Sequence, residues 1–111
     1  MADELSDKAL EAIEIARNTG KLRKGVNEVT KVLERGQAKL VAIAKDVSPA
    51  EIIMHIPLLA KEKGVPCVTI NTKEELGTAA GISVGTSAVA IIEEGDASKL
   101  VKELREKAKG E

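Results

Sequence analysis

The stretch AKLVAIAKDVSPAEIIMHIPLLAKEKGVPCVTI, residues 38–70, decides the fold. Its two ends, AKLVAIA and VPCVTI, are short apolar runs rich in β-branched residues, and each reads as a buried strand. Ser48 and Pro49 open a helix between them, because proline is tolerated in a first turn. Pro57 falls inside EIIMHIPLLAKEKG and is expected to kink or split that segment. Gly64 closes it.

The same alternation extends outward on both sides. TKEE, residues 72–75, is a capping box: Thr72 caps a short helix and Glu75 reaches back. That helix ends near Gly81. SAVAIIEE, residues 87–94, reads as a strand. A last helix is expected over about 97–109, with Leu100, Val101, Leu104 and Ala108 inward. Towards the N-terminus, a first helix is predicted over about 6–19. Ser6 caps it, and Leu5, Ala9, Ala12, Ile13 and Ala16 form one apolar face. Gly20 ends it, and KLRK, residues 21–24, is a weak extended segment. A second helix runs from Gly25 or Val26 to Arg35, with Val29, Val32 and Leu33 inward, and Gly36 stops it. Strands alternating with helices predict an α/β chain, here one domain over 1–111. The expected architecture is a three-layer α/β/α sandwich around a small mixed sheet.

Composition narrows function. The chain has 111 residues and no Phe, Tyr or Trp. Modules that read single-stranded nucleic acid by stacking bases on aromatic rings are excluded, since His55 is the one ring available. The net charge of -1 conceals an asymmetry: residues 17–45 carry eight basic and two acidic side chains. A local positive field of this kind attracts a polyanion even on a slightly acidic molecule. One cysteine, Cys67, permits no intramolecular disulfide and fits a reducing compartment. The acidic start MADELSDK lacks a signal-peptide pattern, and no apolar run approaches a membrane span. A cytoplasmic location is expected, with no membrane partner.

Catalytic chemistry finds few partners here. His55, beside a proline in an apolar segment, reads as a packing or hydrogen-bonding residue. Cys67, in a predicted strand, reads as an inert core thiol. No Cys/His set has zinc spacing, and no nucleophile elbow, phosphate loop or dinucleotide fingerprint occurs. No catalytic residue, metal or cofactor is therefore expected.

The segment KGVNEVTK, residues 24–31, carries the functional signal. At a helix start its first amides are unpaired and favour an anion. Lys21, Arg23 and Lys24 add positive charge, and Gly25 admits close approach of a foreign backbone. Asn27 and Lys31 share a face, with Glu28 beside them. A glutamate repels phosphate but accepts hydrogen bonds from the Watson–Crick edge of guanine, and Asn27 can both donate and accept. Spacing alone leaves a plainer alternative: Asn27 as a helix cap and Glu28–Lys31 as a surface ion pair.

The block G-V-N-E-x-T-K, the block HIPLL followed by KGVP, and the block LGTAAG occur in an order and spacing that closely resemble the archaeal ribosomal protein of the L-seven-Ae family. The resemblance runs from about Ser6 to the last helix. It implies an α/β/α sandwich that binds the kink-turn, a sharply bent RNA with tandem sheared G·A pairs and a flipped-out nucleotide. By position it implies that Asn27, Glu28 and Lys31 contact the G·A pairs, with Lys24 and Gly25 against the backbone. Ile52 and Lys73 would border the extruded nucleotide. Ile82, Ser83 and Val84 would pack on unstacked nucleotides, where composition alone would make Ile82 and Val84 strand-entry core residues. Ser48 stands where relatives usually carry an acidic residue, and Cys67 and Thr69 where aromatic residues are common. The implied protein is non-enzymatic and monomeric when free. Its implied partners are ribosomal RNA, box C/D and H/ACA guide RNAs, ribonuclease P RNA and the protein subunits of those particles. The alternatives are a narrower ribosomal relative of the L-thirty-e type, or a protein-interaction module on the same fold.

Overall fold

The computed structural model describes residues 2–47 and 53–109, with side chains from 6 to 47 and from 53 to 106. In chain order the elements are α1 (Ala2–Thr19), β1 (Lys21–Lys24), α2 (Val26–Glu34), β2 (Leu40–Ala44), α3 (His55–Glu62), β3 (Cys67–Ile70), α4 (Lys73–Ala79), β4 (Ala88–Glu93) and α5 (Ser98–Lys109). A 3₁₀ turn, Gly95–Ala97, leads into α5. The readings placed on Ser48, Pro49 and Ile52, and on the side chains of Leu5 and Ala108, lie outside the described residues.

The four strands form one mixed sheet in the order β1-β4-β2-β3. β2 and β3 run parallel, with Val41 opposite Cys67 and Ala44 opposite Ile70. β4 lies antiparallel to both β2 and β1. The weak segment 21–24 is thus a real edge strand. It pairs its backbone with β4 while its side chains stay mostly exposed, which is why its polar composition understates it.

The period-two alternation of a strand sorts the sheet's side chains into two cores. Leu40, Ala42, Ala44, Val68, Ile70, Val89 and Ile91 face the layer of α1, α4 and α5, where Ala9, Ala12, Ile13, Ala16, Leu76, Val101 and Leu104 close the core. Val41, Ile43, Ala88 and Ala90 face α2 and α3, meeting Val29, Val32, Leu33, Ile56 and Ala60. Helices therefore cover both faces, giving the three-layer sandwich. Because no Phe, Tyr or Trp contributes, the described interior is filled mainly by aliphatics, each full burial of a Val, Leu or Ile adding about 1.5–3 kcal/mol.

Two local expectations differ from the structure. α1 begins at Ala2, so Ser6 is buried within its second turn and is no cap. No glycine or proline lies between Ala2 and Ser6 to stop the helix there. Pro57 does not kink α3, which begins only two residues earlier, at His55. A proline in the first turn removes an N–H that has no intrahelical acceptor.

Candidate functional site

β1, β2 and β3 all end, and β4 begins, at one end of the sheet. Lys24 pairs with Val89, and the Ala44 amide donates to the Ser87 carbonyl at 3.0 Å. Segments leaving or entering this end carry most of the residues singled out in the sequence. In sheets with parallel strands, ligands gather outside the carboxyl ends.

Gly25 turns the chain from β1 into α2. Its φ of 93° is a conformation that residues with a side chain rarely adopt. Its amide donates to the Ala88 carbonyl at 2.8 Å, which anchors the helix start to β4. No side chain caps α2. Asn27 is not the cap; it lies inside the first turn, exposed, next to exposed Glu28. Lys31 Nζ stands 4.0 Å from Glu28 Oε1, with both side chains more than half exposed. Such a pair is weak and screened, and leaves both groups available to a ligand. Lys24, Gly25, Val26, Asn27, Glu28, His55 and Ser87 line a cleft of about 670 Å³.

The second group adjoins the first through β4. The Thr86 amide donates to the Lys73 carbonyl at 3.1 Å, so the loop before β4 rests on the start of α4. Gly77 allows this approach: a Cβ there would lie 2.3 Å from the Val84 carbonyl oxygen. Val84 is 68% exposed, whereas Ile82 is half-buried and packs on the α1-side core. Ser83 and Lys73 are exposed. The pair Ile82 and Val84 thus divides: Ile82 helps anchor the loop and Val84 faces outward. Lys24, Gly25, Asn27, Glu28, Lys31, Lys73, Ile82, Ser83 and Val84 belong to two adjoining segments at one sheet end.

The start of α4 is closed by its own neighbours. Thr72 Oγ1 accepts from the Glu75 amide at 3.1 Å, and Asp46 Oδ1 accepts from the Lys73 amide at 2.8 Å. Asp46 and Ser87 were not singled out in the sequence; their partners lie far along the chain, and no local spacing announces them. His55 hydrogen-bonds Thr30, as a bonded histidine should, but it also borders the cleft. Cys67 is half-buried in the α2/α3 core, and burial pushes its thiol up to about 12. Thr69, the other departure in that strand, is exposed.

A separate cleft of about 510 Å³ lies between α1 and α4, lined by Leu10, Glu14, Thr72, Glu74, Glu75, Thr78 and Ala79. It holds three carboxylates and no cation, so it would repel phosphate. Among the described residues, no group of three or more His, Cys, Asp or Glu side chains could hold a metal ion. No helix there is long and apolar enough to cross a membrane.

The chain is a three-layer α/β/α domain whose α2 starts beside Lys24, without a side-chain cap, at one end of the sheet. The chain belongs to the Ribosomal protein L7Ae/L30e/S12e/Gadd45 family, whose model matches residues 7–101. Among solved structures it is similar to the Giardia lamblia 15.5kD RNA binding protein, with a TM-score of 0.89 and 36% sequence identity. That match covers 96% of this chain and 89% of the other.

Proposed function

We propose that this protein is a non-enzymatic RNA-binding protein that recognises kink-turns and stabilises their bent form. The observation that carries this reading is the start of α2: a glycine-shaped, uncapped turn beside Lys24, presenting exposed Asn27 and Glu28 to a cleft. Free amides and lysines hold phosphate oxygens, while side chains with defined donors and acceptors read bases. Glu28 accepts from guanine N–H groups in the sheared G·A pairs. Asn27 both donates and accepts, Lys31 contacts the same pairs, and Lys24 and Gly25 lie against the backbone. Val84 supplies an apolar ledge for an unstacked nucleotide, with Lys73 beside it. Binding the bent RNA in preference to the extended one shifts the population towards the bend. The RNAs proposed are ribosomal RNA, box C/D and H/ACA guide RNAs and ribonuclease P RNA, with the protein monomeric before binding and cytoplasmic. Family membership and the similar RNA-binding protein support RNA as the partner class.

A second reading, a protein-interaction module, draws support from Met54 and Leu58, which are 60% and 72% exposed. Steep salt dependence of binding to RNA separates the two, because it reports counterions released from phosphates.

The role of Glu28 is tested with Glu28→Gln against a kink-turn RNA carrying guanine or inosine in the G·A pairs. Inosine lacks the exocyclic amine. Parental protein should lose affinity on inosine, and Glu28→Gln should bind weakly and discriminate less. Parental affinity and selectivity in Glu28→Gln would remove guanine recognition from Glu28.

A further inference from the structure

The chain contains no Phe, Tyr or Trp and a single histidine, His55. The structure puts that one ring at the cleft, beside Asn27, Glu28 and Ser87. A hydrogen-bond chain sets its edge. Thr30 Oγ1 lies 2.8 Å from the Val26 carbonyl oxygen and 2.7 Å from His55 Nε2. A hydroxyl has one proton to give, and a carbonyl can only accept. Thr30 therefore donates to Val26 and accepts from His55, whose Nε2 carries the proton. The imidazole is tied by one edge to α2, yet the residue stays exposed. A histidine that merely packs would be buried. One that merely ties α3 to α2 would need the edge, but no opening onto the cleft.

We infer that His55 is a nucleobase platform: an unstacked base of the bound RNA lies on its ring, next to the polar pair Asn27 and Glu28. The inference rests on the RNA-binding reading and adds the ring that composition otherwise denies this protein. Edge tethering suits the task, because a flat group already held in one orientation loses little freedom on binding. Stacking is tolerant of base identity, so His55 would add affinity while Glu28 and Asn27 supply selectivity.

Because the histidine is unique, its ring protons can be followed without ambiguity by NMR as a kink-turn RNA is added to the full chain. They should move upfield, as expected for a proton held over a base. In parallel, His55→Ala should weaken binding by about tenfold, the lower end for base–ring stacking. His55→Phe, which keeps a flat face and loses the Nε2 tether, should recover part of the affinity that alanine loses and bind between alanine and parent. Thermal melts of both variants report any loss of folding, and the NMR arm needs no variant. Unmoved ring protons, an alanine variant of parental affinity, or a phenylalanine variant as weak as alanine would each overturn the platform. If Glu28→Gln still weakened binding in those cases, RNA recognition would stand without it. A parental protein that fails to bind the RNA would overturn both.

Discussion

Two helices start at the same end of the sheet, and they start differently. α4 is closed: Thr72 and Asp46 take its first amides, and Glu74 and Glu75 offset its positive end. α2 is open: Gly25 precedes it without a side-chain cap, and although Glu28 lies in its first turn, no side chain takes its first amides. A closed start serves the fold, since capping is worth about 0.5–2 kcal/mol. An open start forgoes that stability and leaves donors for a ligand. The side-chain caps thus fall on α4, and the start of α2 carries none.

Substitutions at the two starts should separate in their effects. Asn27→Ala, at the open start, should weaken kink-turn binding roughly 10- to 100-fold, the scale of a lost base contact. Its denaturation midpoint should barely move, as for other exposed side chains. Gly77→Ala comes next. Its new Cβ would meet the Val84 carbonyl at 2.3 Å, so the loop must shift. Overpacking of this kind costs about 1–3 kcal/mol, read by urea denaturation. RNA binding should weaken along with it. Thr72→Ala, at the closed start, should lose about 1 kcal/mol of stability while RNA affinity holds. Equal loss of affinity in Thr72→Ala and Asn27→Ala would erase the distinction between the two helices.

The last contrast concerns the interior. Burial raises the Cys67 thiol from 9.0 to about 12. Between those values the unfolded chain has lost its thiol proton and the folded chain keeps it. Stability therefore falls as pH rises through that window, by up to about 1.4 kcal/mol per unit. Lysines titrate over part of the same range, so the difference between parent and Cys67→Ala isolates the thiol. The gap between their denaturation midpoints should change steadily above pH 9.0. A constant gap would mean that Cys67 is more open to solvent than its packing indicates.

These contrasts also separate what could be read locally from what could not. Of the capping box at Thr72, the half that forms is the bond from the Glu75 amide to Thr72; it was legible because cap and amide are three residues apart. So was the burial of Val41, Ala42 and Ile43, because a continuous apolar run has few other uses. The edge strand 21–24 was faint, since four mostly polar residues become a strand only by pairing with β4. Ser6 misled, because a residue suited to capping sits equally well inside a helix that nothing interrupts. The bonds from Asp46 to Lys73 and from Thr30 to His55 span 27 and 25 residues and leave no periodic trace. The candidate residues themselves were legible from spacing and family likeness. Their meeting at one end of the sheet follows from strand order, which periodicity does not encode.

The proposed function requires that this end of the molecule recognise the bent geometry of an RNA, beyond its charge. The direct measurement is a titration against a labelled kink-turn RNA and against the same RNA with its G·A pairs replaced by Watson–Crick pairs, each at two salt concentrations. Protein concentration would be taken from amino-acid analysis, since the chain has no Trp or Tyr. Tight binding to the kink-turn, lost with the G·A pairs at both salts, is the expected result. Weak binding to both RNAs, vanishing together as salt rises, would contradict it and leave only a generic basic patch.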